Sequence, residues 1–195
     1  MSTASKQLLQ TPSQTVGPFF HYGLVRSGEN VLVGKQVGTP AVILTGFVYD
    51  GDGAAIPDAL LEIWQADQQG YFKHERDPNH AKADPNFAHF GRSDTASNGE
   101  PGRYKFKTVK PGAIVAEGDS VPYVNVRVFA RGMLTHALTR MYFPEENNRK
   151  DEVFASVDSA LQERLVARLD DSYGLRIYHL DLHMQGARES VFFTP

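Results

Sequence analysis

The chain has 195 residues, long enough for one well-buried domain and short for two, so a single domain over residues 1–195 is expected. A hydrophobic fraction of 41%, a charged fraction of 22% and a formal net charge of -3 describe an ordinary globular protein and exclude the basic excess of a nucleic-acid binder. There is no cysteine, which excludes a disulfide framework and a thiolate metal site.

The N-terminal ten residues have no apolar core of signal-peptide length and no later run reaches membrane-span length, so a cytoplasmic, membrane-free protein is the simplest expectation. Residues 1–25 read as an extended arm. Within it Thr11 to Phe20 is punctuated by Pro12 and Pro18, which hold the preceding residues out of the helical region, and Gly17 permits close backbone approach. A loop tacked onto the domain and a site lined by Thr15 and Gly17 are both open at this point. Ser27 to Pro40 is polar and Gly-rich and reads as a loop.

Strands begin at Ala41. The run ending in Asp50-Gly51-Asp52-Gly53 has turn chemistry; a calcium loop is not favoured, because the later ligand positions and the closing Glu are missing. Ala59 to Gln65 alternates as a strand, with Leu61 and Ile63 on one face and Glu62 and Trp64 on the other, and the only tryptophan reads as a packing anchor. Residues 74–91 form a long loop holding His74, His80 and His89, whose irregular spacing favours surface histidines over a metal site. Tyr104 to Val109 alternates before Pro111-Gly112.

Pro122 to Gly132 has the cleanest alternation in the chain. Val124, Val126, Val128 and Ala130 point one way; Tyr123, Asn125, Arg127, Phe129 and Arg131 point the other. Solvent, another subunit or a bound anion can meet that polar face. Further on, Ser159 to Gln162 has capping-box spacing and Leu161, Leu165 and Leu169 recur every fourth residue, which predicts one short helix ending before Gly174. Leu175 to Met184 reads as the last long strand. It places His179, Asp181 and His183 on one face, a set that can hold a metal in principle but reads as a polar solvent face in the absence of a further ligand. About eight short strands, Gly/Pro turns and one minor helix imply an all-β, antiparallel β-sandwich.

Several blocks then occur in a familiar order: Thr11 to Pro18, Gly46 to Gly53, Glu62 to Ala66, Asp84 to Phe87, Gly91-Arg92, Thr108 to Gly112 and Tyr142-Phe143. Together they resemble the intradiol ring-cleaving dioxygenases, from about Thr11 to the C-terminus. The resemblance implies a β-sandwich and a non-haem Fe(III), held in catalytic members by two tyrosines and a His-x-His pair. Here the matching positions carry Asn79, Ile114, Tyr123 and Asn125, and Ser120 stands where catalytic members have an arginine. Amide and aliphatic side chains do not replace phenolates and imidazoles around a ferric ion.

The implied role is therefore the non-catalytic α subunit of a heteromeric member. Its β partner carries the iron, and α supplies part of the active-site wall in a higher-order αβ assembly. Carried over position by position, Thr15 and Gly17 line the substrate pocket and Arg131 receives a substrate carboxylate, while Phe19 lacks the hydroxyl often present there. The implied reaction is cleavage of protocatechuate to 3-carboxy-cis,cis-muconate. The alternatives are an α-type subunit serving another anionic catechol, such as 4-sulfocatechol, or a metal-free binding module.

Overall fold

Why the β-rich half of the chain forms two layers is visible in its burial pattern. The computed structural model describes residues 9–34, 40–118, 120–172 and 174–194. The first eight residues of the N-terminal segment and residues 35–39 of the Ser27–Pro40 loop lie outside that description. From Leu9 the arm runs without regular structure until helix α1, Phe20–Leu24. Among the described residues nine strands follow: β1 Val42–Tyr49, β2 Leu60–Trp64, β3 Phe90–Asp94, β4 Arg103–Thr108, β5 Tyr123–Phe129, β6 Ala137–Tyr142, β7 Arg168–Asp170, β8 Ile177–His179 and β9 Leu182–His183. Helix α2, Glu152–Ser156, lies between β6 and β7. Among the described residues no helix is long and apolar enough to cross a membrane.

One sheet has the order β3-β2-β5-β6 and is antiparallel throughout. The other has the order β4-β1-β8-β7, with β9 also paired to β1. This second sheet is mixed, because β1 pairs antiparallel with β4 and parallel with both β8 and β9. The alternating residues of β5 (Val124, Val126, Val128) and Tyr178 of β8 meet in the main core between the layers. Apolar burial of this kind is the dominant favourable term in folding. A second cluster, including Ile114, Tyr123, Tyr142 and Leu165, closes one end of the sandwich.

The all-β sandwich expected from the sequence is the observed architecture, with one sheet mixed rather than antiparallel, and the two faces of β5 are as the alternation gives them. Asp50 also makes the expected turn, its carboxylate accepting from the backbone N–H of Asp52 at 3.0 Å and of Ala54 at 2.8 Å. Three further details differ.

The α-helix is not at Ser159 to Leu169, where only a short 3₁₀ helix, Gln162–Leu165, forms. Gln162 instead donates its amide to the carbonyls of Phe154 and Val157 at the end of α2, so it serves that helix's C-terminus. Leu165 is buried in the end cluster, and Leu169 lies on β7, packed against the main core. The last strand is broken at Leu180-Asp181, because both halves pair with β1 across Gly46, against which the Leu180 carbonyl is packed. Finally, His89 is 5% exposed rather than a surface histidine, with its Nδ1 3.2 Å from the Gln65 carbonyl and its ring edge-on to Phe87.

Candidate functional site

The polar face of the first sheet opens into a cleft of about 710 Å³. Its wall includes Trp64, Phe72, Phe90, Ile114, Asn125 and Arg127. Trp64 is half-buried and lies flat on Phe72, with ring centroids 5.5 Å apart and planes within 3°. The tryptophan is thus a cleft wall as well as a packing group, which its place on the Glu62 face of β2 hinted at.

The acids along this cleft are already engaged. Glu62 pairs with Arg92 at 2.8 Å. Asp77 accepts from the backbone N–H of Phe72 at 2.8 Å and of Asn79 at 2.7 Å. Glu117 accepts from the Tyr123 hydroxyl at 3.1 Å.

The four positions that the resemblance sets against iron ligands fall at or near this cleft. Ile114 and Asn125 line it; Tyr123 is buried behind it; Asn79 caps a short 3₁₀ turn beside Asp77. Their chemistry does not fit a ferric ion. Ile114 offers no donor atom and is 3% exposed in the end cluster. Burial pushes the Tyr123 phenol up, the Arg140 guanidinium over its ring pulls it down, and Glu117 pushes it up again; the net shift is upward, so the phenol stays protonated. Two amides complete a set without a single anionic or imidazole ligand. Among the described residues no three His, Cys, Asp or Glu side chains are grouped to hold a metal. His179, Asp181 and His183 are among the residues lining a second cleft, of about 610 Å³, on the mixed sheet. There Asp181 is taken up by the backbone N–H of Phe47 at 2.8 Å.

Thr15, Gly17 and Arg131 lie elsewhere, at the far end of β5. Arg131 lies two residues past the end of β5, in the turn that follows, and six residues beyond Asn125. The Thr15 hydroxyl accepts from the backbone N–H of Gly132 at 2.7 Å, which ties the arm to the strand end beside Arg131. Phe20 packs on Phe129 at 5.8 Å and anchors the arm a second time. At Gly17 no atom comes within 4 Å of where a β-carbon would stand, so its backbone faces open space.

Arg131 is 56% exposed and its Nε lies 3.1 Å from Asp58 Oδ2. Asp58 was not singled out by the sequence. The signal that finds it is the β2–β5 pairing: the ladder ends at Leu60 opposite Phe129, and Asp58 and Arg131 each lie two residues beyond that end. Large apolar side chains stand exposed nearby in the chain: Phe19 at 73%, Tyr22 at 71% and Leu134 at 63%.

A family model described as a dioxygenase matches residues 17–186. The protocatechuate 3,4-dioxygenase alpha chain of Burkholderia cepacia is 41% identical, covering 95% of this chain and 98% of its own length. The beta chain from the same organism is 28% identical, covering 89% of this chain and 75% of its own. Among solved structures, the dioxygenase domain of a dioxygenase and carbohydrate-binding protein fusion from Streptomyces sp. SirexAA-E shares the fold with a TM-score of 0.60. It has 21% identity and covers 81% of this chain and 88% of that one. With an α-type relative matched end to end, and with the order of blocks and the sandwich agreeing, the chain belongs to the intradiol ring-cleaving dioxygenase family, on its α-chain branch.

Proposed function

We propose that this chain is the non-catalytic α subunit of a heteromeric protocatechuate 3,4-dioxygenase. The observation that carries the reading is the conjunction of α-chain similarity over 95% of the chain with a donor set unfit for ferric iron. The β-type partner's Fe(III) supplies the activation of the catechol toward O2, and this chain supplies wall and charge.

Arg131 is suited to the substrate carboxylate, because a guanidinium presents paired N–H donors that match a carboxylate in charge and shape. Gly17 lets the arm backbone approach the ring closely, and Thr15 fixes that arm on the strand end. The exposed Phe19, Tyr22 and Leu134 give the same end an apolar surface for the partner chain.

The test is expression of the chain alone and together with its catalytic partner. Alone it is expected to bind far less than one iron per chain and to turn over no catechol. Together the two should co-purify with the burgundy colour of an iron-tyrosinate centre and cleave protocatechuate. Stoichiometric iron in the isolated chain sinks the assignment. Faster turnover of 4-sulfocatechol than of protocatechuate moves the substrate assignment to a sister enzyme.

A further inference from the structure

Arg131 carries the substrate-facing charge in the reading above, and its flexible side chain needs something to aim it. The only ionic partner it has among the described residues is Asp58. Asp58 and Arg131 stand in the turns just past the Leu60–Phe129 pair that ends the β2–β5 ladder, which brings the two side chains together. Asp58 is 9% exposed. Both its carboxylate oxygens are shielded from solvent and neither accepts a well-aligned hydrogen bond, so the contact with Arg131 Nε is an ion pair. A carboxylate withdrawn from water this far is expensive unless a cation faces it. With Nε facing Asp58, the guanidinium has no partner at its Nη edge among the described residues.

We infer that Asp58 is a positioning residue for substrate: it holds Arg131 by Nε so that the Nη edge is presented to the carboxylate of the catechol. This rests on Arg131 facing the substrate, so the experiment separates the two ideas. It uses the assembled two-chain enzyme and compares protocatechuate with unsubstituted catechol for the wild type, Asp58→Asn, Arg131→Lys, Arg131→Leu and the Asp58→Asn/Arg131→Leu double variant. Each is checked for an intact thermal transition.

The sign of the effect is diagnostic. If Asp58 acted only through its charge, neutralising it would leave more positive potential and would tighten an anionic substrate. A positioning role predicts the opposite. Asp58→Asn is expected to raise KM for protocatechuate about tenfold, with kcat and the catechol kcat/KM within about twofold. Arg131→Lys keeps the charge but lacks Nε and the fork, and is expected to behave like Asp58→Asn. The double variant should be no worse than Arg131→Leu on protocatechuate, because the two act as a unit.

If Arg131→Leu discriminates between the substrates and Asp58→Asn does not, the inference is wrong and the Arg131 assignment stands. Equal losses on both substrates for Asp58→Asn make it a structural strut and overturn the inference. If Arg131→Leu leaves both substrates unchanged, the assignment of Arg131 fails and the inference falls with it.

Discussion

Gly46 has no room for a β-carbon. One placed there would collide with the carbonyl of Leu180 and lie 3.1 Å from the Tyr104 ring. That carbonyl also accepts from the buried Tyr104 hydroxyl at 2.7 Å, so pushing it away breaks a bond that water cannot replace. Gly46→Ala is expected to cost about 3 kcal/mol or more, read as a loss in chemical denaturation midpoint, and a neutral result would mean that β8 and β9 shift freely. Arg131 carries a second expectation at this scale. The strand pattern alone suggests that its removal spares folding, yet Arg131→Leu strands the shielded Asp58 carboxylate. Because the guanidinium is more than half exposed, the penalty is discounted to about 1 kcal/mol. Adding Asp58→Asn should restore the lost melting temperature. If the double variant melts no higher than Arg131→Leu, Asp58 reaches water on its own.

Between elements, two carboxylates act as joints. Asp151 caps α2 by accepting from the Phe154 N–H at 2.9 Å, and it also accepts from the Tyr142 hydroxyl at 2.8 Å and Arg140 at 3.2 Å. Asp151→Ala loses a cap and leaves a buried phenol and a guanidinium without their acceptor, for an expected cost of about 3 kcal/mol by denaturant titration. A loss no larger than an ordinary cap, about 1 kcal/mol, would show that Tyr142 and Arg140 find other partners.

Glu145 joins the loop after β6 to β8 by accepting from the Tyr178 hydroxyl at 2.7 Å, with Arg176 at 3.3 Å and Lys110 at 3.6 Å beside it. Burial raises this carboxyl, but the Tyr178 hydrogen bond and the two cations outweigh it, and the net shift is downward. A depressed folded-state value means stabilisation that is complete above the unfolded-state value, near 4.5, and is lost as pH falls through the folded-state value. Glu145→Gln should therefore melt below the wild type at neutral pH, with the gap closing as the pH is taken below 4.5. A gap that is constant with pH would remove the charge from the explanation.

What the sequence could disclose at this level follows from how far its signals reach. Alternation is a local signal, so β5 and its two faces were legible. The arm and the face of Arg131 were legible from Pro12, Gly17, Pro18 and the alternation, but the substrate-facing role of Arg131 came only through family resemblance. The helix was misplaced because a capping-box spacing and a four-residue leucine repeat do not reveal that Gln162 is claimed by carbonyls of another helix. The stacking of Trp64 on Phe72 depends on a loop closure, at Gly70 against Ala113, that lies outside either strand.

At the scale of the whole molecule, the arm and the C-terminal segment are opposite cases. Through its first twenty residues the described part of the arm is largely exposed and held by few contacts, notably Thr15 on Gly132 and Phe20 on Phe129. Deleting Met1 to Phe20 is expected to leave the melting temperature within a few degrees of wild type while lowering turnover of the assembled enzyme severalfold, and full turnover by the truncated chain would deny the arm a place in the active-site wall. The C-terminus is different because β1 has β8 and β9 as partners along its length, with Ile43 opposite Ile177 and Tyr49 opposite His183. A ribosome delivers β1 long before β8 and β9, which follow it at a distance in sequence. Until they emerge, the β1 edge that will take β8 and β9 has no mate, and pairings this distant in sequence are the slow kind. The nascent chain thus waits with an adhesive edge on offer, a hazard for aggregation during synthesis that a finished molecule no longer displays.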